Sequence, residues 1–390
     1  MHDDSRVVVV FSGGGTGGHL YPALALASAL VALRPDVRPF FVGSERGLES
    51  RVLAERGVEH VLLPVRGFAR GGALSNWRTV SSLGQSLRRV MGLFRTLAPE
   101  LVVVTGGYAS GPAGIVAALG RVPLAVQEQN SVPGLTTRVL VRWACQIHLA
   151  FPEAAARLPA RARNRVSVSG NPIEEPLPIE RTEARVALGL RPEGFVVLVV
   201  GGSQGSGALN SSVLDAVRLV VEGERPAPAG LQILWSTGLG HAEGVARALA
   251  DVGAPDWVQT VDYIHGMPHA LAAADLAISR AGAMATSEFL AWGLPSVLVP
   301  LPTAAANHQE QNAFALAAAG AAVLLPEQEL SGERLWSMIE GLAADPIRLE
   351  AYRKAARERG RPESARRIAN SLAGLLPPLG ASGTVAGGLS

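Results

Sequence analysis

Val7-Val8-Val9-Val10-Phe11-Ser12-Gly13-Gly14-Gly15-Thr16-Gly17-Gly18-His19 decides how this chain is read. Five β-branched or aromatic residues predict a buried strand, the glycines a tight elbow, and the Ala- and Leu-rich segment that follows a helix. Such an elbow makes an anion site. Its glycines let a negative group approach closely, and the N–H groups that open the helix point at that group. A second elbow repeats the pattern, from Val196-Val197-Leu198-Val199-Val200 into Gly201-Gly202-Ser203-Gln204-Gly205. Two elbows of this kind predict two nucleotide-type domains facing one cleft, and only the first ends in a histidine.

The rest of the chain keeps the same rhythm. Short apolar runs at Val37–Val42, Glu59–Pro64, Leu101–Thr105, Leu124–Gln127, Ile147–Ala150 and Arg165–Val168 alternate with helical patterns, as in βαβ units. Ser169-Gly170-Asn171-Pro172 interrupts them, and Glu174-Glu175-Pro176-Leu177-Pro178 reads as a stiff linker. Strands resume at Phe195–Val200, Leu231–Ser236, Val258–Val261, Leu276–Ser279, Ser296–Val299 and Ala322–Leu325. The expected class is α/β, with doubly wound parallel sheets in an N-terminal domain, 1–170, and a C-terminal domain, 171–376. The last helices could pack back on the first domain, and 377–390 is expected to be disordered.

A chain of 390 residues with 48% hydrophobic content can build two cores. The pI is near 9.0, but Lys354 is the one lysine and the arginines are scattered, which speaks against a nucleic-acid footprint. The lone Cys145 reads as a small buried hydrophobe. Asp3 and Asp4 precede a short valine run, which does not suit a signal peptide, and no apolar stretch is long enough to span a bilayer. A soluble or peripheral protein on the cytoplasmic face of the plasma membrane is expected. Residues 66–97 carry Arg66, Arg70, Arg78, Arg88, Arg89 and Arg95 without an acidic residue. Their interleaving with Phe68, Trp77, Met91 and Phe94 suits either an anionic membrane surface or an ordinary inward-packing helix.

Gly13, Gly15 and Gly18 fit the dinucleotide fingerprint, but neither Asp36 nor Glu45 stands where a nicotinamide fold needs its ribose carboxylate. His19 falls in the first helical turn, where an imidazole can take a proton near neutral pH, although it could equally be a capping or packing residue. Further polar groups fall at strand ends: Thr105-Gly106-Gly107-Tyr108-Ala109-Ser110-Gly111-Pro112 and Gln127-Glu128-Gln129-Asn130. In the second half, Ser279-Arg280-Ala281-Gly282-Ala283 precedes Glu288, suited to a phosphate and a ribose, and Asn307 to Asn312 suit sugar hydroxyls. There is no Asp-x-Asp pair and no zinc-type Cys/His spacing, so no metal and no cofactor is expected. Helix N-termini would neutralise a diphosphate instead.

In order, the first elbow with His19, Gly106 to Pro112, Glu128-Gln129-Asn130, Gly170-Asn171-Pro172, Gly201 to Gly205, Ser279 to Ala283 and His308-Gln309 closely resemble the MurG family of bacterial peptidoglycan glycosyltransferases, within glycosyltransferase family 28. The resemblance spans about residues 6 to 370. It implies a GT-B fold and inverting transfer of N-acetylglucosamine from UDP-GlcNAc to the C4 hydroxyl of the muramoyl sugar in undecaprenyl-diphospho-MurNAc-pentapeptide (lipid I), giving lipid II. By position, His19 would be the general base, and Gly14, Gly15, Tyr108, Ser110 and Glu128 would line the acceptor side. Thr16, Gly17, Gly18 and Asn130 would serve both substrates. Ser203, Gln204, Ile264, Arg280, Ala283, Met284, Glu288, His308 and Gln309 would hold the donor. Implied partners are the two substrates, an anionic membrane surface, and proteins of cell-wall synthesis or division. Glu174 stands where family members commonly have Arg, two residues after Asn171-Pro172, Ala285 replaces a usual Thr, and Gln127 a frequent His. Alternatives are another UDP-sugar enzyme of this fold, such as a lipid or natural-product glycosyltransferase or an epimerase, and a catalytically silent membrane adaptor.

Overall fold

The computed structural model describes residues 6–65 and 73–379, with the backbone alone for 73–80. The described chain forms two units, one running to Glu174 and resuming at Glu363, the other spanning Glu175–Pro362. In the first, β1 (Val7–Gly13), β2 (Val37–Ser44), β3 (His60–Leu63), β4 (Leu101–Gly106), β5 (Leu124–Glu128), β6 (Gln146–Leu149) and β7 (Val166–Val168) make one parallel sheet. Its order is β3-β2-β1-β4-β5-β6-β7. The helices between these strands are α1 (Gly17–Leu33), α2 (Glu49–Glu55), α3 (Ala73–Leu97), α4 (Ser110–Gly120) and α5 (Leu135–Leu140).

β1 shows why the run is apolar throughout. Val7, Val9 and Phe11 face α1, while Val8 and Val10 face the layer holding Val90, Phe94 and Val116, so helices cover both sides. Each such side chain contributes roughly 1.5–3 kcal/mol on burial. The chain leaves β1 and β4, neighbours in the sheet, toward opposite faces. Crevices at such a switch point, at the carboxyl ends of strands, are where open α/β sheets bind ligands.

The second unit repeats the plan with β8 (Phe195–Val200), β9 (Leu231–Ser236), β10 (Val258–Val261), β11 (Leu276–Ser279), β12 (Ser296–Leu298) and β13 (Val323–Leu324), ordered β10-β9-β8-β11-β12-β13. Its helices are α6 (Arg181–Ala187), α7 (Gly207–Val221), α8 (Ala242–Asp251), α9 (Met267–Ala273), α10 (Ala283–Trp292), α11 (His308–Ala318), α12 (Gly332–Ala343) and α13 (Pro346–Arg359). Trp235 and Trp336 are buried in its core. At the amino end of β11, buried Asp275 accepts from Arg181 (2.6 Å), Arg353 (3.0 Å), Arg185 (2.7 Å) and the Val196 N–H (2.9 Å).

The last helix, α14 (Ser364–Ala373), belongs to the first unit. Ile368, Ala369, Leu372 and Leu376 join Leu20, Leu24 and Leu26 of α1 in one core. The chain therefore passes between the units at 174/175 and 362/363; patterning alone puts the first passage at 170/171 and leaves the last helices free to pack on the first domain. Of the 377–390 tail, residues 380–390 lie outside the described residues, and the Pro377 carbonyl accepts from Arg34 at 3.0 Å.

On β6, the buried His148 lies between Ser169 Oγ (3.0 Å, on Nδ1) and Gln146 Oε1 (3.1 Å, on Nε2), and Gln146 also exchanges bonds with Ser371 of α14. Burial lowers His148 from its ordinary 6.5 to about 4. The fold therefore excludes a proton that the unfolded chain accepts. The resulting stability is present above pH 6.5 and is lost as pH falls toward 4, by about 3 kcal/mol in all. Urea midpoints at pH 7.5 and 4.5 should diverge in the natural protein and less so in His148→Gln; equal divergence in both would clear His148 of the effect.

One expectation needs correction. Cys145 is exposed rather than buried, because it lies on the turn before β6, with Sγ 3.1 Å from the Leu124 carbonyl. In α3, Val90 and Phe94 are buried and Leu87, Leu93 and Leu97 pack against the core, while Arg88, Arg89 and Arg95 are exposed. The apolar stripe of that part of 66–97 packs inward, and its arginines and Met91 stay exposed. Arg66, Phe68 and Arg70 lie outside the described residues, as do the side chains of Trp77 and Arg78.

Candidate active site

The first elbow builds its surroundings around His19. The ring stands in the opening turn of α1 with Nδ1 3.0 Å from the Thr105 carbonyl and 2.8 Å from Gln129 Oε1. A backbone carbonyl can only accept, so Nδ1 carries the proton and Nε2 keeps its lone pair. Among the described residues Nε2 has no hydrogen bond. Thr105 Oγ1 donates to the His19 carbonyl at 2.7 Å, tying β4 to the helix start. Gly107, at φ 76°, lets the β4–α4 loop pass close by: a Cβ there would run into the Gly14 carbonyl and come within 3.0 Å of the imidazole.

The glycines of this elbow divide their work. At Gly14 a side chain would collide with Glu49, whose fully buried carboxylate accepts from the Gly15 N–H. At Gly17 a Cβ would come within 3.2 Å of the Tyr21 ring, whereas Gly18 has room, and Gly18 and Thr16 are exposed at the helix start. Gly14 and Gly15 thus make space for protein groups, and 16–18 form the outer part of the elbow. Tyr108 packs on Gly15.

Two expected acceptor residues are committed internally. Ser110 is buried and donates to the Gly107 carbonyl at 3.0 Å, which ties the loop after β4. Glu128 accepts from Asn130 N (3.1 Å), Asn130 Nδ2 (3.3 Å) and Gly134 N (3.1 Å), which shapes the 128–134 loop and orients the half-buried Asn130. Asp36 and Glu45 pair with Arg34 and Arg89.

In the second unit the loops after β8 and β11 flank its own switch point. Ser203 and Gln204 are exposed on a turn closed by Gly205 N to the Gly202 carbonyl (2.9 Å). Ser206 caps α7, accepting from Leu209 N at 3.4 Å. α10 starts at Ala283 with Met284 and Ala285 half-buried in its first turn and half-buried Glu288 one turn on. The buried Arg280 guanidinium donates to Ser206 Oγ (3.0 Å) and the Val299 carbonyl (3.2 Å) and pairs with Glu327 (2.5 Å), so it braces these loops. The Ile264 side chain is buried, leaving its backbone as the usable edge. Ala306 and Asn307, at φ 51° and 56°, hold the left-handed region just before His308. Strain of roughly 1–3 kcal/mol per residue is kept where surrounding structure imposes it, often at ligand sites. His308 Nδ1 binds the Ala305 carbonyl (2.5 Å), and Gln309 Oε1 accepts from Leu301 N (3.0 Å).

Residues 9–149 match the glycosyltransferase family 28 N-terminal domain, and 196–369 its C-terminal domain. The chain is 39% identical over 381 residues to the UDP-N-acetylglucosamine–N-acetylmuramyl-(pentapeptide) pyrophosphoryl-undecaprenol N-acetylglucosamine transferase of Desulforudis audaxviator, covering 96% of this chain and 99% of that one. It belongs to glycosyltransferase family 28. Among solved structures it is similar to Acinetobacter baumannii MurG, with TM-score 0.75 and 27% identity over 95% of this chain and 99% of that one. It also shares its fold with the calicheamicin glycosyltransferase CalG4 at TM-score 0.67 and 18% identity, over 96% and 99% of the two chains. Two all-parallel α/β units of this kind are the GT-B fold of family 28.

Glu49 lies outside the motifs read from the sequence, whereas Thr105, Gln129 and Asn171 stand within them but without the partners the structure gives them. For Glu49 a signal existed: a carboxylate opening a helix just after Gly43 and Gly47. Nothing in the linear order marks Thr105 and Gln129 as partners of a histidine 86 and 110 residues away.

Proposed function

We infer that this chain transfers N-acetylglucosamine from UDP-GlcNAc to the C4 hydroxyl of MurNAc in undecaprenyl-diphospho-MurNAc-pentapeptide, forming lipid II with inversion. The observation that carries the chemistry is the bare Nε2 of His19 beside an open helix start. Nε2 takes the hydroxyl proton as the O4–C1 bond forms; the C1–oxygen bond to UDP breaks with its electron pair leaving on the β-phosphate. Thr16 to Gly18 receive the acceptor diphosphate, with Tyr108 and Asn130 beside it. Ser203, Gln204 and the α10 start take the donor diphosphate, the Ile264 backbone the uracil, Glu288 the ribose, and His308 and Gln309 the sugar. Glu174 and Ala285 leave the donor with fewer stabilising groups than usual for the family.

Transfer proceeds without a divalent ion, the α7 and α10 N-termini facing the developing charge. Mixing the protein with UDP-GlcNAc, a lipid I analogue and EDTA should release UDP in an acceptor-dependent manner. Release that needs no acceptor would favour an epimerase or hydrolase, and none at all a silent adaptor.

The protein works docked on an anionic bilayer. Among the described residues no helix is long and apolar enough to cross a membrane. Leu135 (61% exposed) and Trp143 (53%) stand with exposed Arg138 and Arg142 on one segment of the first unit. Binding to vesicles containing phosphatidylglycerol should weaken as salt rises and fall further in Trp143→Ala; equal binding to neutral vesicles at every salt concentration would refute electrostatic docking.

A further inference from the structure

We propose that Gln129 is a positioning residue for His19: together with the Thr105 carbonyl it holds the imidazole as its Nδ1–H tautomer, and Gln127 and Asn171 set which way its amide faces. A side-chain amide can be turned over, so its orientation needs a cause. Gln129 Nε2 donates to the Thr105 carbonyl (2.7 Å) and to Gln127 Oε1, which leaves Oε1 facing the ring at 2.8 Å. Gln127 in turn donates from Nε2 to Asn171 Oδ1 (3.0 Å) and the Glu128 carbonyl (3.3 Å). Asn171 Nδ2 donates to the Gln129 carbonyl (3.2 Å), and the Asn171 carbonyl accepts from Ser364 Oγ. Reversing any one amide sets donor against donor.

All three amides are at most 1% exposed, so water cannot rescue a reversed one. A buried mismatch of this kind is costly, which makes the direction of the chain robust. The titratable groups around it are turned elsewhere: Glu49 to Gly15, Glu128 to Asn130 and Gly134, and Tyr108 against Gly15. A carboxylate in place of Gln129 would still accept from Nδ1–H, but its second oxygen would face the Thr105 carbonyl and Gln127 Oε1, and it would hold the proton once taken. The amide orients without holding. This inference rests on His19 as base for its catalytic consequence, though not for the tautomer itself.

The test uses full-length protein with 15N-labelled histidine, the His19 signal being identified by its loss in His19→Ala. The natural protein should show a bare Nε2. In Gln129→Leu the signal should move toward a tautomer mixture, with turnover falling at least about tenfold and the KM for UDP-GlcNAc unchanged. Gln127→Leu should move both in the same direction by less. Gln129→Glu should keep the tautomer and move the acidic limb of kcat/KM up by about one pH unit. A protonated Nε2 in the natural protein overturns the proposal even if Gln129→Leu does not fold, and so do an unmoved tautomer and pH limb in folded Gln129 variants. A moved tautomer with unchanged turnover supports the positioning role and overturns His19 as base instead.

Discussion

Replacing His19 by alanine is expected to lower kcat for N-acetylglucosaminyl transfer by roughly 10²- to 10⁴-fold, the usual worth of a placed general base. UDP-GlcNAc affinity should survive, since the groups proposed for it belong to the second unit. The fold should survive as well. Thr105 Oγ1 bonds the His19 backbone carbonyl, which alanine retains, and the turn at Gly107 gains space rather than losing it. Steady-state kinetics together with calorimetric titration of UDP would separate the two effects. Turnover near normal would move the base elsewhere, whereas loss of UDP binding together with turnover would mean that the ring supports the fold or the donor.

Asp275→Ala should have the largest effect on stability, about 3–5 kcal/mol, because it breaks a buried ion pair by removing one partner. The Arg185 side chain is 5% exposed and uses its remaining donors on the Ala273 and Pro192 carbonyls, so it cannot turn to solvent. Arg353 and Arg181 then face it with no intervening negative charge. Already in the intact protein, burial and these neighbouring arginines hold the Arg181 guanidinium below its ordinary pKa. Domain stabilities are commonly 5–15 kcal/mol, so such a loss is a large share. Urea melts of Asp275→Ala and Asp275→Asn should rank alanine as the worse, since asparagine keeps one acceptor for Arg185 and the Val196 N–H. Asp275 lies at the amino end of β11 and the proposed donor groups beyond its carboxyl end. Activity at low temperature should therefore persist, and its loss while the protein stays folded would contradict a purely structural role.

Local patterns were enough for the strands and elbows because a strand covered on both faces must be apolar along its whole length, as β1 and β8 are. His19 was legible because ligand sites sit at the ends of such strands. What stayed hidden depends on pairings between distant segments. Ser110 and Arg280 read as ligand groups by position, yet each finds a nearer partner inside the protein, in the Gly107 carbonyl and in Ser206 with Glu327. The buried Glu49 stands under Gly14 and Gly15 because β2 pairs with β1, a relation that spacing along the chain does not express. Cys145 misleads for a different reason: the apolar stretch around it is buried only in part, Ala144 facing inward while Trp143 and Cys145 itself are exposed.

The return of α14 to the first unit bears on how the protein is made. Ile368, Leu372 and Leu376 close a core that Leu20, Leu24 and Leu26 leave open until then. During synthesis the amino-terminal unit therefore waits for the last helix to leave the ribosome, while residues 175–362 already have every strand and helix of their own sheet. The half of the protein that begins first is the half that finishes last, and a nascent chain stopped short of α14 exposes an apolar face of α1 to whatever chaperone meets it.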